Sequence, residues 1–321
     1  MCHVLNRRRT AAYAAVARSF ERPPRYEEFE TPEAAGGHLL TEVPAAGLHP
    51  RVRSGAGGTH YTSDGRLPMV PGVDGVGRLP DGRRVYFVAG DDVPGTMAER
   101  AVVDPRRAVE LPAGADAVVV AAAMNPAMSS WVALRRRVEF EPGQSVLVLG
   151  ATGNAGRLAV EVARHLGAGE VIAVGRDPRR LELLTTLGAT HVVSTADADK
   201  LAADVDVVLD YTWGAPAELA MRALVTHRAE RSKPLAWVQI GSPAGADVTL
   251  PSALLRAANL RIMGSGQGSL TAAGIVAELP SLLDELAAGT FTTAAKAVPL
   301  TDVKSTWTTP SDPRERIVFT P

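Results

Sequence analysis

Cysteine is almost absent from this chain of 321 residues, and its absence excludes several kinds of site. The one cysteine is Cys2, so no disulfide can form within the chain. A zinc site built from several thiolates is excluded for the same reason. A chain so poor in cysteine is suited to a reducing compartment, and we expect a cytoplasmic protein.

Excess charge and long apolar runs are also missing. The formal net charge is −1, which gives a polyanion no overall attraction, so no nucleic-acid partner is predicted. No apolar run has the length needed to cross a bilayer, and we expect no membrane partner. The runs Arg7–Arg9 and Arg135–Arg137 indicate a disordered terminus or a solvated face rather than a phosphate-binding patch. Thr10–Ala17 is short and alanine-rich, and it predicts a first strand near Ala12–Val16 rather than a signal peptide.

The segment Ser145–Gly156, S-V-L-V-L-G-A-T-G-N-A-G, is the most informative stretch of the chain. Val146–Leu149 predicts a buried parallel strand, and Arg157–Leu166 has apolar residues at helical spacing. A strand, a glycine turn and a helix form the phosphate cradle of a dinucleotide-binding unit. In the pattern G-x-G-x-x-G, the three glycine places fall on Ala151, Gly153 and Gly156. The predicted cofactor-binding residues of this loop are Ala151, Thr152, Gly153, Asn154, Ala155 and Gly156.

The glycine motif alone is equally compatible with a turn that binds nothing, so the segments that follow it matter. A second strand is predicted at Val171–Val174 and a third at His191–Ser194. Between them, Asp177 and Pro178 are typical of a helix start and Gly188 of a helix end. This β-α-β-α-β order predicts a parallel sheet with right-handed connections.

The end of the second predicted strand indicates which dinucleotide is bound. An NAD-binding unit has an acidic residue there, whereas this chain has Gly175 followed by Arg176, with Arg179 and Arg180 nearby. A guanidinium group binds phosphate oxygens in a bidentate manner, so Gly175, Arg176 and Arg180 predict NADP(H). The alternative is that these arginines only cover a helix start, with Asp177 paired to one of them.

The first 120 residues differ in character from the middle of the chain. They are rich in glycine, proline and short β-type runs and predict a small β domain. The predicted strands here are Leu39–Val43, Arg84–Val88 and Arg100–Val103. Residues 121–291 alternate strands and helices, and residues 292–321 return to strand character at Arg316–Phe319. The predicted strands of the middle are Val205–Asp210, Leu235–Ile240 and Arg261–Met263, and its helices are Pro216–Thr226 and Ala272–Ala288, the latter broken at Pro280.

Four local motifs stand in a familiar order and spacing. They are A-G-L-H-P at Ala46–Pro50, P-G-V-D-G-V-G at Pro71–Gly77, S-S-W-V-A-L at Ser129–Leu134, and the glycine loop Val146–Gly156. Over nearly its whole length the chain resembles the zinc-free, quinone-oxidoreductase-like branch of the medium-chain dehydrogenase/reductase superfamily. The resemblance implies an α/β fold, with a doubly wound Rossmann sheet at residues 121–291. A β-rich, GroES-like catalytic domain is implied at residues 1–120, completed by residues 292–321.

The chain departs from the zinc-dependent members of that family. The positions matching their catalytic zinc ligands are His49, Val73 and Asn125, and three protein ligands cannot be assembled from these side chains. We therefore expect no metal. The chemistry implied is NADPH-dependent reduction of a quinone or of the C=C bond of an enone, which are small-molecule electrophiles. Two alternatives are an atypical zinc-free alcohol or carbonyl oxidoreductase and a non-catalytic NADPH-binding or regulatory protein.

The resemblance also implies roles for residues outside the glycine loop. Tyr61, His49 and Asn125 are the predicted catalytic residues, and Ser129 matches a position that touches the nicotinamide. The alternatives are a surface position for Tyr61, a turn cap for His49 and a helix N-cap for Asn125. For Ser129 the alternative is a hydroxyl that bonds back along its own helix. Two strand ends are predicted to give backbone groups to the cofactor, namely Ile240, Gly241 and Ser242 at one and Gly264 and Ser265 at the other; the alternative is that these glycines only make turns. A homodimer is implied, paired through the edge strand Arg261–Met263.

Overall fold

A computed structural model describes residues 11–90, 92–200, 204–310, 312 and 315–321. Cys2 and the run Arg7–Arg9 lie outside the described residues. The chain divides into two units. The first contains the described residues up to Asn125 together with Leu283–Ala288 and Thr293–Pro321, and the second contains Pro126–Leu282 and Gly289–Thr292.

The elements follow the chain in three groups. The N-terminal group is β1 (Ala11–Val16), β2 (Arg25–Glu30), β3 (Leu39–Gly47), α1 (Pro50–Ala56), β4 (Asp74–Arg78), β5 (Arg84–Val88), β6 (Arg100–Val103), β7 (Ala108–Glu110) and α2 (Ala117–Val132). The middle group is β8 (Ser145–Leu149), α3 (Asn154–His165), β9 (Glu170–Gly175), α4 (Pro178–Leu184), β10 (His191–Ser194), β11 (Val207–Asp210), α5 (Gly214–His227), β12 (Leu235–Gln239), α6 (Ser252–Ala257), β13 (Leu260–Gly264), α7 (Ala272–Val276) and α8 (Leu279–Ala287). The C-terminal group is β14 (Ala295–Pro299), α9 (Val303–Thr308) and β15 (Arg316–Thr320). Short 3₁₀ helices occupy Pro105–Arg107, Thr185–Leu187, Thr195–Lys200 and Leu300–Asp302, and a π-helical turn occupies Ala133–Arg137.

The first unit is built on a β-sheet with the strand order β14-β15-β3-β4-β5-β7, and β6 pairs with β3. A separate antiparallel pair joins β1 to β2. The predicted strands in β1, β3, β5, β6 and β15 are confirmed, whereas β4 was recognised only as a motif. Its glycines allow a close approach to β3, because a Cβ at Gly75 would lie 2.8 Å from the Ala45 carbonyl oxygen and one at Gly77 would lie 2.7 Å from Thr41 Oγ1. The sheet therefore needs glycine where strand propensity disfavours it.

The second unit contains a six-stranded parallel sheet with the order β10-β9-β8-β11-β12-β13. Its central strands are largely apolar and buried, as in β8, where all of Ser145–Leu149 is buried, whereas the edge strands β10 and β13 are partly exposed. Counted within this unit, the order is 3-2-1-4-5-6, the doubly wound arrangement of dinucleotide-binding proteins. The direction of winding reverses between β8 and β11. Because ligands bind beyond the carboxyl ends of the strands at such a point, the topology directs attention to the loops after β8 and β11.

Helix α2 corrects two expectations. Asn125 and Pro126 do not begin a helix, since the helix starts at Ala117 and Pro126 lies inside it. Asp116 is the capping side chain, and it accepts hydrogen bonds from the N–H groups of Val118 and Val119. With its π-helical extension, Ala117–Arg137 is also long and apolar enough to span a membrane, contrary to the sequence-based expectation. Most of its apolar stretch is buried within the protein, as in the core helix of a globular fold.

The long helix predicted at Ala272–Ala288 is two helices, α7 and α8. Pro280 is the second residue of α8, where the missing N–H of proline has no helical partner to lose. The break therefore falls just before Leu279, and Pro280 helps to begin the next helix.

The arginine run Arg135–Arg137 is not simply a solvated face. Arg135 Nε donates to Glu278 Oε2 at 2.6 Å, and Arg136 Nε donates to Glu278 Oε1. Trp131 Nε1 donates to Oε2 at 3.2 Å. Burial raises the pKa of the Glu278 carboxyl, but the hydrogen bonds and charges of the two arginines outweigh it, and the net shift of that pKa is downward. The carboxylate thus anchors the segment before α8 to the end of α2.

This lowered pKa predicts a pH-dependent contribution to stability. Because the folded-state pKa of Glu278 lies below its ordinary value of 4.5, its stabilisation is complete above that pH and is lost as the pH falls through the folded pKa. We expect Glu278→Gln to lower the free energy of unfolding at pH 7 by roughly 1.5–3 kcal/mol, the range for charged hydrogen bonds. Denaturant unfolding between pH 3 and 8 measures this, and the deficit of the variant should shrink in acid. Glu139→Gln, at an exposed glutamate of the same region, is the control; equal deficits for the two variants at pH 7 would contradict the assignment.

Candidate functional site

The glycine loop after β8 is shaped by close contacts that exclude side chains. Gly150 has a φ of +83°, a left-handed conformation that favours glycine. The N–H groups of Gly150 and Ala151 both donate to the Val174 carbonyl, at 3.0 and 2.9 Å. A Cβ at Gly156 would lie 2.2 Å from the Gly150 carbonyl oxygen, so Gly156 is needed for α3 to pack on the loop. These contacts fix the loop between β8 and β9.

Gly153 stands in a different environment, one that fits a phosphate group. Its φ is −81°, which any residue adopts, and a Cβ there would meet only the Gly150 carbonyl oxygen, at 3.5 Å. Gly153 is the N-cap of α3 and makes no side-chain capping hydrogen bond to the helix. A helix N-terminus, with its dipole, and space at Gly153 together match the pyrophosphate of a dinucleotide.

The next helix, α4, caps itself and leaves no comparable site. The Asp177 side chain accepts hydrogen bonds from the N–H groups of Arg179 and Arg180. Asp177 also forms an ion pair with Arg180, with 3.2 Å between Oδ2 and Nε. A pairing of Asp177 with one of the arginines is part of the alternative interpretation given above. Arg176 is exposed and sits directly after β9. A 2′-phosphate bound at this strand end would therefore meet Arg176 first.

Gly175 also has a role in packing, in addition to its lack of a carboxylate. The residue is buried, and a Cβ on it would lie 2.6 Å from Thr152 Cγ2 and 3.2 Å from Leu181 Cδ2. The glycine therefore allows the end of β9 to touch the glycine loop. Two of the predicted cofactor-binding residues, Gly175 and Thr152, are in contact through this packing.

Across the point where the winding reverses, the loop after β11 is held by one carboxylate. Asp210 is fully buried, and its Oδ1 accepts from Thr212 N, Thr212 Oγ1 and Trp213 N at 2.8–2.9 Å. Its Oδ2 accepts from Trp237 Nε1 at 3.0 Å. Trp213 is forced to φ 53°, ψ −161°, a conformation that costs a non-glycine residue about 1–3 kcal/mol. Strain of this kind persists only where the surroundings over-determine it, as they do here.

Ser129 faces this loop. Its Oγ donates to the Pro126 carbonyl at 2.6 Å, as the alternative interpretation of a hydroxyl bonded along its own helix describes. The same oxygen lies 2.8 Å from the Tyr211 hydroxyl. Ser129 thus stands at the end of β11, close to the reversal point, and its predicted contact with the nicotinamide stays a prediction.

Several backbone groups at the ends of β12 and β13 already have partners within the protein. The N–H groups of Ile240 and Gly241 donate to the Asp210 carbonyl, and the Gly241 carbonyl accepts from Gln239 Nε2. The Ser242 carbonyl accepts from Gly245 N. At the other end, Ser265 N donates to the Gln239 carbonyl and the Gly264 carbonyl accepts from Arg137 Nε. These hydrogen bonds connect the strand ends to neighbouring segments. The cofactor-binding role predicted for these residues stays a prediction.

In the first unit, the predicted residue His49 belongs to a buried polar cluster. His49 is the N-cap of α1, and its side chain makes no capping hydrogen bond. Its Nε2 lies 3.1 Å from Asp74 Oδ1 without hydrogen-bond alignment, and both side chains are at most 2% exposed. The Tyr86 hydroxyl donates to Asp74 Oδ2 at 2.6 Å. Burial and the Asp74 charge raise the pKa of Tyr86 well above 10, which keeps it a donor.

Arg316 supplies a nearby positive charge to this cluster. Burial lowers the pKa of Arg316 to about 10, the Asp74 carboxylate opposes this shift, and Arg53 adds to it. Its Nη1 donates to the Leu48 carbonyl at 3.2 Å. The sequence predicted His49 as a site residue but gave no sign of Tyr86 or Arg316, because they come from distant parts of the chain.

The other two predicted catalytic residues are not part of this cluster. Tyr61 follows α1 and is 70% exposed, with its ring 4.4 Å from that of His60. That placement is the surface position weighed as its alternative. Asn125 lies within α2 and is half-buried. Catalytic roles for Tyr61 and Asn125 therefore remain predictions from the resemblance.

The donor set does not fit a zinc ion. Catalytic zinc needs three protein ligands of the His, Cys, Asp or Glu type. No group of three such side chains comes together in the part of the chain that the structure describes. His49 and Asp74 are adjacent, but Asp74 already accepts the Tyr86 hydroxyl, and Val73 offers no ligand atom.

Comparison with known proteins places these features in a family. Residues 155–288 match the family model described as zinc-binding dehydrogenase. A probable NADPH-dependent quinone reductase of Emericella nidulans is 31% identical over 96% of this chain and 100% of its own length. A chloroplastic NADPH-dependent alkenal/one oxidoreductase of Arabidopsis thaliana is 28% identical over 56% of this chain and 51% of its own length.

The fold has equally clear relatives among solved structures. The quinone oxidoreductase of Thermus thermophilus, known also in complex with NADPH, has a TM-score of 0.82 and 25% identity, covering 97% of this chain and 100% of its own. The strand order, the glycine loop and a full-length relative at 31% identity all indicate the same family. The chain belongs to the medium-chain dehydrogenase/reductase superfamily, in its quinone-oxidoreductase-like branch.

Proposed function

We propose that this protein is an NADPH-dependent reductase of quinones or of the C=C bond of enones, and that it works without a metal ion. The observation that carries the proposal is the open cradle at Gly153, beside a β9 strand that ends in Gly175 and Arg176 without a carboxylate. The similarity to reductases named for NADPH, quinones and alkenals or alkenones supports the substrate class.

NADPH supplies a hydride when it is bound, and the protein's residues hold and orient it. The N–H groups at the start of α3 bind the pyrophosphate, and Arg176 binds the 2′-phosphate. Ser129 and the Asp210 loop define the space beyond the end of β11. Reduction of a quinone or an enone requires no alkoxide to be stabilised, so this chemistry suits a site whose donor set does not hold zinc.

We include three further features in the proposal. The chain forms a homodimer by pairing β13, which stands at an edge of the parallel sheet and contains the predicted strand Arg261–Met263. The protein works in the cytoplasm, and it engages neither nucleic acid nor membrane. A near-neutral net charge and the burial of the apolar helix Ala117–Arg137 support this last point.

Arg176 should determine the preference for NADPH. Removing one charged partner of the 2′-phosphate costs roughly 1.5–3 kcal/mol, so Arg176→Ala should bind NADPH about 10- to 150-fold more weakly, with NADH little affected. Titration of both cofactors by fluorescence or calorimetry measures the change. Arg179→Ala, which removes another exposed arginine three residues on, is the matched control and should have a much smaller effect.

Two results would oppose this assignment. One is an unchanged ratio of NADPH to NADH affinity in Arg176→Ala, and the other is an equal loss in Arg179→Ala. Gly175→Asp is a poorer test of cofactor choice, because its Cβ would collide with Thr152 and disturb the loop itself.

Gly153→Val should separate cofactor binding from folding. The backbone conformation of Gly153 suits any residue and its Cβ has room, so the variant should unfold at nearly the wild-type temperature. The branched side chain fills the space of the pyrophosphate and should abolish NADPH binding. Gly156→Val is the contrasting variant, because it has no room for a Cβ and should lose stability. A stable Gly153→Val that binds NADPH normally would show that the loop is only structural.

The reaction itself is tested by NADPH oxidation with a panel of quinones and enones, and by alcohol oxidation with NADP⁺ in parallel. We expect turnover in the first panel only. Protein purified without added metal should contain well under one zinc per chain, and its activity should survive a strong chelator. Activity that a chelator removes and zinc restores would reject the metal-free proposal and favour alcohol dehydrogenation. NADPH binding with no turnover in either panel would favour a non-catalytic role.

A further inference from the structure

Tyr211 occupies a position that the proposed function does not yet explain. It is the first residue after β11, at the point where the winding of the sheet reverses. A Cβ built at Gly150, in the glycine loop, would lie 3.3 Å from the Tyr211 Cβ. The tyrosine is therefore packed against the loop that cradles the pyrophosphate, and its hydroxyl extends to Ser129.

Two serine hydroxyls of α2 bear on the direction in which the Tyr211 proton points. Ser129 Oγ gives its one proton to the Pro126 carbonyl, at 2.6 Å. Ser130 Oγ likewise gives its proton to the Ala127 carbonyl, at 3.1 Å. Either atom can donate in the 2.8 Å contact between the Tyr211 hydroxyl and Ser129 Oγ, and with the Ser129 proton on the Pro126 carbonyl the donor is Tyr211. Its oxygen keeps lone pairs for a further donor, so the pair offers an acceptor to a ligand.

The tyrosine remains protonated and its backbone is held in place. Burial raises the pKa of Tyr211 to about 12, although hydrogen bonds with Ser129 and Ser130 act in the opposite direction. The Asp210 carboxylate fixes the following residues, Thr212 and Trp213, by three hydrogen bonds. A neutral, oriented hydroxyl on a strained and anchored loop is typical of a ligand-positioning residue.

We propose that the phenolic oxygen of Tyr211 accepts a hydrogen bond from the carboxamide NH₂ of the nicotinamide ring. The inference rests on the proposed function, because it takes NADPH as the cofactor. In this arrangement Ser129 acts through Tyr211 by fixing the orientation of its hydroxyl. Tyr211 is a cofactor-positioning residue that selects the carboxamide among possible substituents of the ring.

The test compares NADPH with its 3-acetylpyridine analogue, in which the carboxamide NH₂ is replaced by a methyl group. The wild type should bind NADPH roughly three- to tenfold more tightly than the analogue, the value of one neutral hydrogen bond. In Tyr211→Phe this ratio should fall to about one, because NADPH loses affinity and the analogue does not. Ser129→Ala, which frees the Tyr211 hydroxyl, should lower the ratio partly.

The control ligand is 2′-phospho-ADP-ribose, which lacks the nicotinamide. Its affinity should be equal in the wild type and in Tyr211→Phe, and Tyr13→Phe, at an exposed tyrosine of the first unit, should change none of the three affinities. A parallel loss for NADPH, its analogue and 2′-phospho-ADP-ribose in Tyr211→Phe would make the tyrosine a structural tether and overturn the inference. An unchanged ratio would also overturn it. A wild type that binds neither NADPH nor 2′-phospho-ADP-ribose would instead overturn the proposed cofactor.

Discussion

The close approach of backbone segments at the reversal point is the constraint on which the second unit depends. Gly150 leaves no space for a side chain, because a Cβ there would lie 2.9 Å from Thr212 Cγ2. Gly156 and Gly175 are equally confined, by the loop itself and by Thr152. The loops after β8, β9 and β11 are thereby locked together. Among the glycines of these loops, Gly150, Gly153, Gly156 and Gly175, Gly153 has the most room, because a Cβ there would meet only the Gly150 carbonyl oxygen, at 3.5 Å. The same packing that stabilises the fold therefore leaves room for a phosphate group at Gly153.

The parallel sheet was predictable because its central strands β8, β9 and β11 are almost entirely buried and form nearly continuous apolar runs. The edge strands β10 and β13 are partly exposed, yet β8 to β13 were each predicted within two residues of their actual ends. The glycine loop was predictable for a related reason, since close backbone contacts require glycine at fixed spacing. Local sequence therefore contained most of the information about the nucleotide-binding unit.

Elsewhere, contacts between distant residues decided the structure. Strand β4 was not predicted as a strand because it contains two glycines. The close approach of β3 explains why glycine is needed at both positions. The N-cap alternative for Asn125 is wrong because Pro126, although typical of a helix start, is here tolerated inside a buried helix. Nothing local marks Glu278 as buried, since its partners lie 142 and 143 residues earlier in the chain. Tyr211 directly follows the predicted strand Val205–Asp210, and nothing local marks its contact with Ser129, which spans 82 residues.

The buried polar cluster of the first unit bears on how a carboxylate is accommodated there. A buried carboxylate is costly unless it is hydrogen-bonded or paired. Asp74 receives the Tyr86 hydroxyl on one oxygen and faces His49 with the other, and Arg316 lies close enough to interact with it electrostatically. A zinc ion at this point would have to displace Tyr86 or His49 from Asp74 and would still lack a third ligand. Tyr86 and Arg316 thus offset part of the cost of burying Asp74, whereas Asp74 Oδ1 and both ring nitrogens of His49 have no hydrogen-bond partner.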